Sequence, residues 1–348
     1  MIQVDVNASK KYSINIERNL LDKSSELIKS LKGVCRAAVI SDTNVFSIYG
    51  GKLCENLKAQ GFEVCSHVFP AGEKSKTLET YSQIIEFLAE SHLSRTDLVI
   101  ALGGGVVGDV SGFCAATFLR GIDYIQIPTS LLAAVDSSVG GKTAVDLPTG
   151  KNLVGAFHQP SIVLCDTACF DTLEKSQLSS GFGEVIKYGV MSDAELFEKL
   201  EKKDIQIENI VERCVSIKRD VVIKDEFDNG DRMFLNLGHT LGHAVEKHSN
   251  FTLTHGAAVG IGMVMIAKIS EKYGYAQEEI IPKLKAVLDA YGLPTAYDIS
   301  AEELFKIASG DKKTKGTSIT LVMPERIGKC RLVKLTLSEF QIMLNETF

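Results

Sequence analysis

The sequence predicts an α/β N-terminal domain with a Rossmann-like parallel sheet, followed by a mainly α-helical domain. In the first half of the chain, short β-rich runs alternate with amphipathic runs of helix length, which is the pattern of a parallel sheet covered by helices. A glycine-rich turn directly follows one of the β-rich runs. The second half has helical periodicity and no proline between residues 161 and 281, so nothing there interrupts a helix in that way.

The predicted sheet has five strands, which are taken from runs rich in β-branched residues: 35–41, 62–69, 97–102, 124–127 and 162–166. Helical patterns at 45–59 and 78–92 separate the first three of them. Because consecutive strands joined by helices pair in parallel, these runs predict one parallel sheet.

The helical half begins near Lys175, and the chain is therefore divided into domains 1–175 and 176–348. One of its long helical runs covers residues 208–227. Near the end, alternating residues predict a small hairpin and a closing helix, at 318–323, 329–335 and 338–345.

Composition excludes several classes of protein. The 348 residues are 45% hydrophobic and 24% charged, as in folded globular proteins. Lys plus Arg number 38 against 44 Asp plus Glu, and this net charge of −6 opposes nucleic-acid binding. The apolar stretch 256–267 is too short to span a membrane, and the first residues do not resemble a signal peptide. Eight cysteines without a CxxC pair indicate reduced thiols and a cytoplasmic protein.

Residues 103–109 read GGGVVGD, and they lie between a predicted strand and a run compatible with a helix at 110–119. This is a GxGxxG turn in the context that dinucleotide binding requires, because its backbone amides and the helix N-terminus can approach a pyrophosphate. The usual acidic residue about 20 positions later is missing, since 127–130 reads IPTS. Asp42 follows an earlier strand instead. The alternative is a turn used only for packing.

Four of the seven histidines lie close together, at positions 239, 243, 248 and 255. The i, i+4 spacing puts His239 and His243 on one helix face, and from spacing alone both would be metal ligands. Position 240 is threonine, so the HExxH motif of metalloproteases is absent. The alternative is that these are ordinary core or surface histidines.

Charged residues also occur in glycine-rich or apolar surroundings, namely Asp136, Lys142, Lys151, Glu184 and Lys187. Full burial of such groups is unfavourable unless they are paired, so several of them together indicate a pocket for an anionic ligand. Solvated loop lysines are the alternative explanation for each one.

Further motifs follow in a fixed order: GEKSK at 72–76, the glycine turn, PTSLLA at 128–133, GGKTA at 140–144, GKN at 150–152, GEVIKYG at 183–189, NLGHTLGH at 236–243, HG at 255–256 and DKK at 311–313. From about residue 41 to 313 the chain thereby resembles the 3-dehydroquinate synthases, sugar-phosphate cyclases related to iron-type alcohol and glycerol dehydrogenases.

The resemblance implies an NAD-binding domain at 1–175 and a helical metal- and substrate-binding domain at 176–348, with the active site between them, in a homodimer. It implies a lyase of the shikimate pathway that converts 3-deoxy-D-arabino-heptulosonate 7-phosphate into 3-dehydroquinate and phosphate. The steps would be transient oxidation by NAD, phosphate elimination, re-reduction, ring opening and an intramolecular aldol reaction.

The resemblance also implies roles for single residues. Zinc, or cobalt in its place, would be held by Glu184, His239 and His255, so that His243 faces substrate rather than metal. NAD would be held by Asp42, Asn44, Glu73, Lys76, Gly104, Gly105, Asp109, Thr129, Ser130, Lys142, Lys151, Cys169 and Thr172. The substrate and its phosphate would meet Arg120 of a partner subunit, Asp136, Lys142, Asn152, Lys187, Lys218, Arg232, Asn236, His243 and Lys312 or Lys313.

Three alternatives remain at this point. A glycerol-dehydrogenase-type enzyme would release reduced cofactor. Another sugar-phosphate cyclase would use glucose 6-phosphate or sedoheptulose 7-phosphate, which lack the carboxylate that Lys218 and Arg232 would bind. A non-enzymatic NAD- or metal-sensing protein would be expected to have lost Lys142, Lys187 or Glu184, and all three are present.

Overall fold

The computed structural model describes residues 1–228, 230–310 and 318–348, and it divides into two compact units. The first unit comprises Met1–Leu173 and Ile207–Phe227, and the second comprises Glu174–Gln206 and Asp228–Phe348. A helix over 207–224 thus belongs to the first unit, although it lies within the range 176–348 of the sequence-based second domain.

The first unit is built on a seven-stranded sheet in the order β1-β2-β9-β6-β5-β3-β4. Its strands are β1 (Ile2–Asn7), β2 (Lys11–Glu17), β3 (Arg36–Asp42), β4 (Glu63–Phe69), β5 (Leu98–Gly103), β6 (Asp123–Pro128) and β9 (Ile162–Asp166). All neighbours pair in parallel except β1 and β2, which are antiparallel. The five predicted strands are confirmed as β3, β4, β5, β6 and β9.

The central strands are buried on both faces, which explains their continuous apolar runs. Successive residues point to opposite sides, so Ala38 and Ile40 join one core while Ala37 and Val39 join the other. The covering helices are α1 (Leu21–Lys32), α2 (Thr43–Val45), α3 (Gly51–Ala59), α4 (Leu78–Glu90), α5 (Gly105–Thr117) and α8 (Ile207–Lys224). Helices α4 and α5 cover the first face, and α1 and α3 cover the second.

Two hairpins of this unit were absent from the sequence-based prediction. One is β1–β2, which extends the sheet by an antiparallel edge. The other is formed by β7 (Lys142–Leu147) and β8 (Gly150–Phe157), which pair with each other in a separate two-stranded sheet. Strand β8 is largely exposed, so it lacks the apolar run by which the buried strands could be recognised.

The second unit is mainly helical, as predicted. Its elements are α6 (Lys175–Ser192), α7 (Ala194–Lys202), α9 (His239–His248), α10 (His255–Lys272), α11 (Ile281–Ala290), α12 (Ala301–Gly310), β10 (Ser318–Arg326), β11 (Lys329–Thr336) and α13 (Leu337–Thr347). The late hairpin and the closing helix are confirmed. The apolar stretch of α10 is a buried core helix, and no helix among the described residues has the length and apolarity needed to cross a bilayer.

Candidate functional site

The carboxyl ends of the parallel strands gather most of the residues expected to bind NAD. Asp42 ends β3, and the others follow β3, β4, β5, β6 and β9 in turn: Asn44; Glu73 and Lys76; Gly104, Gly105 and Asp109; Thr129 and Ser130; Cys169 and Thr172. Strand β3 lies between β4 and β5, so the chain reverses direction across the sheet beside β3. Ligands of open α/β sheets bind outside the carboxyl ends of the strands at such a reversal point.

The glycine turn begins helix α5 without a side-chain cap. Gly104 is the N-cap residue, and the structure shows no side-chain cap hydrogen bond from it, since glycine has no side chain. The first amides of the helix, together with the helix dipole, form a site suited to an anion such as a pyrophosphate. A Cβ on Gly105 would lie 3.2 Å from Oγ of Ser137, so the chain is tightly packed where a ligand would approach.

Asp42 has a structural function at the end of β3. Its Oδ1 accepts hydrogen bonds from the backbone amides of Asn44 and Val45, each at 2.9 Å. The hydroxyl of Ser41 donates to the carbonyl of Leu102 at 2.7 Å and joins β3 to β5. The acidic side chain is therefore held rigidly beside the glycine turn.

Lys76 connects three parts of the first unit. Its buried ammonium group lies 2.5 Å from Oδ2 of Asp109 on α5 and 2.6 Å from Oδ1 of Asn152 in the β7–β8 hairpin. Burial lowers the pKa of Lys76, but Asp109 and other carboxylates outweigh this and raise it. Burial raises the pKa of Asp109, and Lys76 offsets only part of that rise.

Asn152 adopts a left-handed backbone conformation with φ of 56°, and its amide donates to Oδ1 of Asp146 at 2.7 Å. Because Oδ1 of Asn152 accepts from Lys76, its side-chain NH2 is the group left to meet a ligand, and an NH2 donor suits an anion. In the same hairpin Lys142 is exposed, and Nζ of Lys151 lies 3.2 Å from Glu73.

Cys169 lines a cavity of about 160 Å³ together with Tyr49 and Asp166. The hydroxyl groups of Tyr49 and Thr172 are 2.7 Å apart. Burial raises the pKa of Cys169 to about 12, so its thiol is neutral and contributes packing rather than charge.

Lys218 on α8 lies against Asp136 within the first unit. Its ammonium group donates to Oδ1 and to the backbone carbonyl of Asp136, both at 2.7 Å. This contact, together with the packing of α8 on β1, explains why α8 belongs to the first unit.

Arg120 lies apart from these residues. It is exposed, with φ of 68°, in the turn Phe118–Arg120 that follows the C-terminal end of α5. Helix α5 begins at the glycine turn, and its 13 residues extend about 20 Å. Arg120 therefore does not join the other candidates of its own unit.

In the second unit, glycines allow the backbones of α6, α9 and α10 to approach closely. A Cβ on Gly183 would lie 2.4 Å from the carbonyl oxygen of Gly256, and one on Gly256 would lie 1.8 Å from that of Ser180. A Cβ on Gly242 would lie 2.8 Å from the carbonyl of Ala258. Each of these glycines is next in sequence to Glu184, His255 or His243, so the close contacts bring those side chains together.

Glu184, His239 and His255 meet in one cluster. Oε1 of Glu184 lies 3.3 Å from Nε2 of His255 and 3.5 Å from Nε2 of His239. Donor atoms about 2.0–2.1 Å from a tetrahedral zinc ion lie about 3.3–3.4 Å apart, so these spacings fit a zinc or cobalt ion. Neither oxygen of Glu184 accepts a hydrogen bond of good geometry within the described part of the chain, which also fits a metal ligand.

The three groups differ in charge. Burial alone would raise the pKa of Glu184, but Lys187 and the two histidines lower it well below its ordinary value. Burial lowers the pKa of His239 to about 3, so it is neutral. Burial would also lower the pKa of His255, but Glu184 and Glu246 raise it to about 9. A carboxylate and a neutral imidazole are therefore already in the form that binds a metal.

Lys187 and His243 border this cluster. Lys187 is 1% exposed and forms an ion pair with Glu184. His243 is exposed, and its ring centroid lies 5.3 Å from that of His239 and 5.7 Å from that of His255. The ligand atoms of the three histidines all lie within 4.8 Å of one another, so the i, i+4 spacing correctly places His239 and His243 near one point. Glu184 lies closer to His255 and His239, at 3.3 and 3.5 Å.

The remaining candidates of this unit are Arg232, which is buried, and Asn236, which is exposed at the end of the turn Asp231–Asn236. Lys312 and Lys313 lie outside the described residues.

Sequence reasoning missed Glu246, whose Oε2 lies 3.7 Å from Nδ1 of His255. Its position seven residues after His239, on the same face of α9, is the signal that could have identified it.

Two family models match the chain. One is described as 3-dehydroquinate synthase N-terminal and matches residues 66–180, and the other is described as 3-dehydroquinate synthase C-terminal and matches 181–314. A 3-dehydroquinate synthase of Clostridium acetobutylicum is 47% identical over 336 residues, which cover 94% of each chain.

Two solved structures are similar over nearly the whole chain. A 2-deoxy-scyllo-inosose synthase complexed with carbaglucose-6-phosphate, NAD+ and Co2+ has a TM-score of 0.87 and 24% identity, and it covers 100% of both chains. A 2-epi-5-epi-valiolone synthase from Streptomyces hygroscopicus with NAD+ and Zn2+ bound has a TM-score of 0.88 and 25% identity, and it covers 99% of this chain and 98% of the other.

Proposed function

This chain belongs to the 3-dehydroquinate synthase family, and we propose that it is the lyase that converts 3-deoxy-D-arabino-heptulosonate 7-phosphate into 3-dehydroquinate and phosphate. The observation that carries the assignment to a metal-dependent reaction is the approach of Glu184 to Nε2 of both His239 and His255 at 3.5 and 3.3 Å. The same cluster contains the buried cation Lys187, as a phosphate-eliminating site requires.

Glu184, His239 and His255 would hold zinc or cobalt, and His243 would face substrate. A bound divalent ion lowers the pKa of a coordinated hydroxyl group, which here would be the one to be oxidised. One carboxylate and two imidazoles leave positions open for substrate oxygens. The role of the protein is to keep the two Nε2 atoms and one carboxylate oxygen at a fixed separation.

The residues at the carboxyl edge of the sheet would hold NAD, and the bound cofactor would supply reversible hydride transfer. The uncapped amides at the start of α5 support a pyrophosphate site, and Asp42 lies beside them. Lys142 and Lys151 of the β7–β8 hairpin complete the proposed set. The hydrogen bonds of Lys76 to Asp109 and Asn152 hold α5 and the β7–β8 hairpin in one arrangement.

The phosphate group would be bound by cations and amide donors. In the second unit these are Lys187, Asn236, His243 and one of Lys312 and Lys313, and in the first unit Asn152, whose NH2 group is directed by Lys76. Oxidation of the substrate hydroxyl at C5 to a ketone would make the proton on the neighbouring carbon, C6, acidic. Loss of that proton and departure of phosphate would produce negative charge on the leaving oxygens, and fixed positive groups would stabilise it. The phosphate itself would take the C6 proton, so no separate protein base is needed.

Lys218 and Arg232 would bind the substrate carboxylate. Lys218 is buried and held against Asp136, and Arg232 is buried in the second unit. A carboxylate-binding role separates this substrate from glucose 6-phosphate and sedoheptulose 7-phosphate, because those two sugar phosphates lack the carboxylate that Lys218 and Arg232 would bind.

Incubation with 3-deoxy-D-arabino-heptulosonate 7-phosphate, substoichiometric NAD and zinc tests the proposal. We expect phosphate and 3-dehydroquinate in equal amounts, over many turnovers per NAD, without lasting NADH. Parallel incubations contain glucose 6-phosphate, sedoheptulose 7-phosphate or glycerol. Phosphate release from one of those sugar phosphates alone, or NADH accumulation with glycerol, would overturn the assignment in favour of another cyclase or a polyol dehydrogenase.

A homodimer in the cytoplasm is part of the same proposal. The exposed position of Arg120, beyond the far end of α5 from the glycine turn, supports its contribution to the site of a partner subunit.

A further inference from the structure

His255 lies between two carboxylates that come from different helices. Its Nε2 is 3.3 Å from Oε1 of Glu184 on α6, and its Nδ1 is 3.7 Å from Oε2 of Glu246 on α9. The imidazole therefore has one nitrogen directed at the proposed metal ligand Glu184 and the other directed at a second acidic side chain.

His239 has the same arrangement with a different partner. Its Nε2 faces Glu184 at 3.5 Å, and its Nδ1 lies 3.1 Å from the carbonyl oxygen of Leu237. A neutral imidazole has a single N–H, and an acceptor beside Nδ1 keeps the proton there and leaves the lone pair on Nε2. Both histidines thus present Nε2 to the same point.

Glu246 is buried, and burial of a carboxylate is unfavourable unless its charge is paired. Its neighbours Ala244 and Val245 are also buried, so this part of α9 is packed in the core of the unit. A carboxylate in that position loses hydration, which a residue selected for packing alone would not. The approach of Glu246 to His255 is a pairing that offsets part of this cost.

We propose that Glu246 is a positioning residue for the metal site: its carboxylate, whose Oε2 lies 3.7 Å from Nδ1 of His255, accepts a hydrogen bond from Nδ1–H when the metal is bound. That bond fixes the ring and keeps the Nε2 lone pair directed at the metal. Outer carboxylates of this kind also increase the basicity of the ligand histidine. This inference rests on the proposed function, because it needs Glu184, His239 and His255 to bind a divalent ion.

The test measures metal affinity and the ligand field rather than turnover. Parent, Glu246→Gln and Glu246→Ala proteins are stripped of metal and titrated with zinc against a chromogenic chelator, and the visible absorption of their cobalt forms is recorded. We expect zinc affinity to fall about 10- to 100-fold, with alanine worse than glutamine because the amide oxygen of glutamine still accepts a hydrogen bond. The cobalt bands should shift in both variants.

Glu325→Gln is the matched control, since Glu325 is another buried acid of the same unit and pairs instead with Lys329 at 2.8 Å. Its zinc affinity should equal that of the parent. Circular dichroism and thermal unfolding of the metal-free proteins report folding separately. Unchanged zinc affinity and cobalt spectra in both Glu246 variants would overturn the positioning role, as would an equal loss of affinity in Glu325→Gln.

His239→Ala separates this inference from the metal site itself. If His239→Ala loses zinc affinity while the Glu246 variants keep it, only the role of Glu246 fails. If His239→Ala binds zinc as tightly as the parent, the proposed metal site fails, and the positioning role fails with it.

Discussion

The ammonium group of Lys76 donates a hydrogen bond to the side-chain oxygen of Asn152 at 2.6 Å, across 76 residues of sequence. The same group lies 2.5 Å from Asp109. One buried cation thus links the segment before α4, helix α5 and the β7–β8 hairpin, and it determines which end of the Asn152 amide can meet a ligand.

Replacing Lys76 by methionine should destabilise the protein by about 3–5 kcal/mol, because Asp109 would be left as a buried charge without its cation. The pKa of Asp109 is already raised above 3.8, so the folded state of the variant holds the proton more tightly than the unfolded state. Its stability should therefore fall as pH rises above that value, and the defect should be smaller at pH 5 than at pH 8. Urea unfolding at both pH values measures this, and a Lys76→Met/Asp109→Asn double variant should recover part of the loss. A pH-independent defect would contradict the account.

Replacing Lys187 by alanine should lower kcat by a factor of about 100 to 1,000, the usual loss when a preorganised charge-stabilising group is removed. The structural reason is that Lys187 is fully buried and forms an ion pair with Glu184, a proposed metal ligand. Phosphate release measures the effect, and circular dichroism checks the fold. Lys199→Ala is the control, since it removes an exposed lysine that pairs with Glu195 on a helix surface. Near-parent turnover by Lys187→Ala would exclude the phosphate role.

Removal of metal by a chelator should abolish turnover, and zinc or cobalt should restore it. The metal-free protein should also unfold at a lower temperature, because an ion that binds only the folded state stabilises it in proportion to RT ln(1 + [metal]/Kd). Differential scanning calorimetry with and without zinc measures the shift, which should vanish in His239→Ala. Full activity after exhaustive chelation would be incompatible with the proposed site.

Replacing Gly256 by alanine should destabilise the protein by about 3 kcal/mol and weaken zinc binding, since the added Cβ would lie 1.8 Å from the carbonyl oxygen of Ser180 and force α6 and α10 apart. Gly51→Ala provides the comparison. Gly51 begins helix α3, and an added Cβ would meet nothing within 4 Å, so this change should be neutral or stabilise by up to about 1 kcal/mol. Denaturant unfolding and zinc titration of both variants distinguish the two cases; equal effects would show that the close contact is unimportant.

Mixing two variants that the proposal expects to have little activity tests whether Arg120 acts in the site of a partner subunit. Arg120→Ala and Lys187→Ala chains, refolded together, would form hybrid dimers in which one site has both native residues. We expect the mixture to regain about a quarter of the parent activity, because half of the dimers are hybrids with one good site each. No activity above that of the separate variants would place Arg120 in its own chain's site or in none.

Most strands of the sheet could be predicted from the sequence, because strands buried on both faces are continuous apolar runs. Strand β5, which is buried throughout, is an example. The glycine turn and Asp42 could be located in the same way, since residues that follow parallel strands meet at one edge. The other cofactor candidates were supplied by the family resemblance. The hairpins β1–β2 and β7–β8 lacked the signal of a continuous apolar run. The assignment of α8 to the first unit depends on the contact of Lys218 with Asp136, 82 positions earlier, which periodicity does not report.

In the histidine cluster too, the sequence predicts contacts within one helix but not contacts between separate helices. The i, i+4 spacing correctly indicated that His239 and His243 share a face, and their ring centroids are 5.3 Å apart. Spacing within one helix could not bring in Glu184, which lies 55 positions before His239 and reaches it only through packing of separate helices. The family resemblance supplied that residue, and neither route supplied Glu246.

The glycine contacts of α6, α9 and α10 have a consequence for protein engineering. Main-chain atoms, rather than side-chain lengths, set how far apart the three helices lie. A designer who wishes to alter which cation is preferred could therefore exchange Glu184 for a thiol or an amide and keep the scaffold unchanged, whereas any scheme that widens the helix spacing must first replace the glycines.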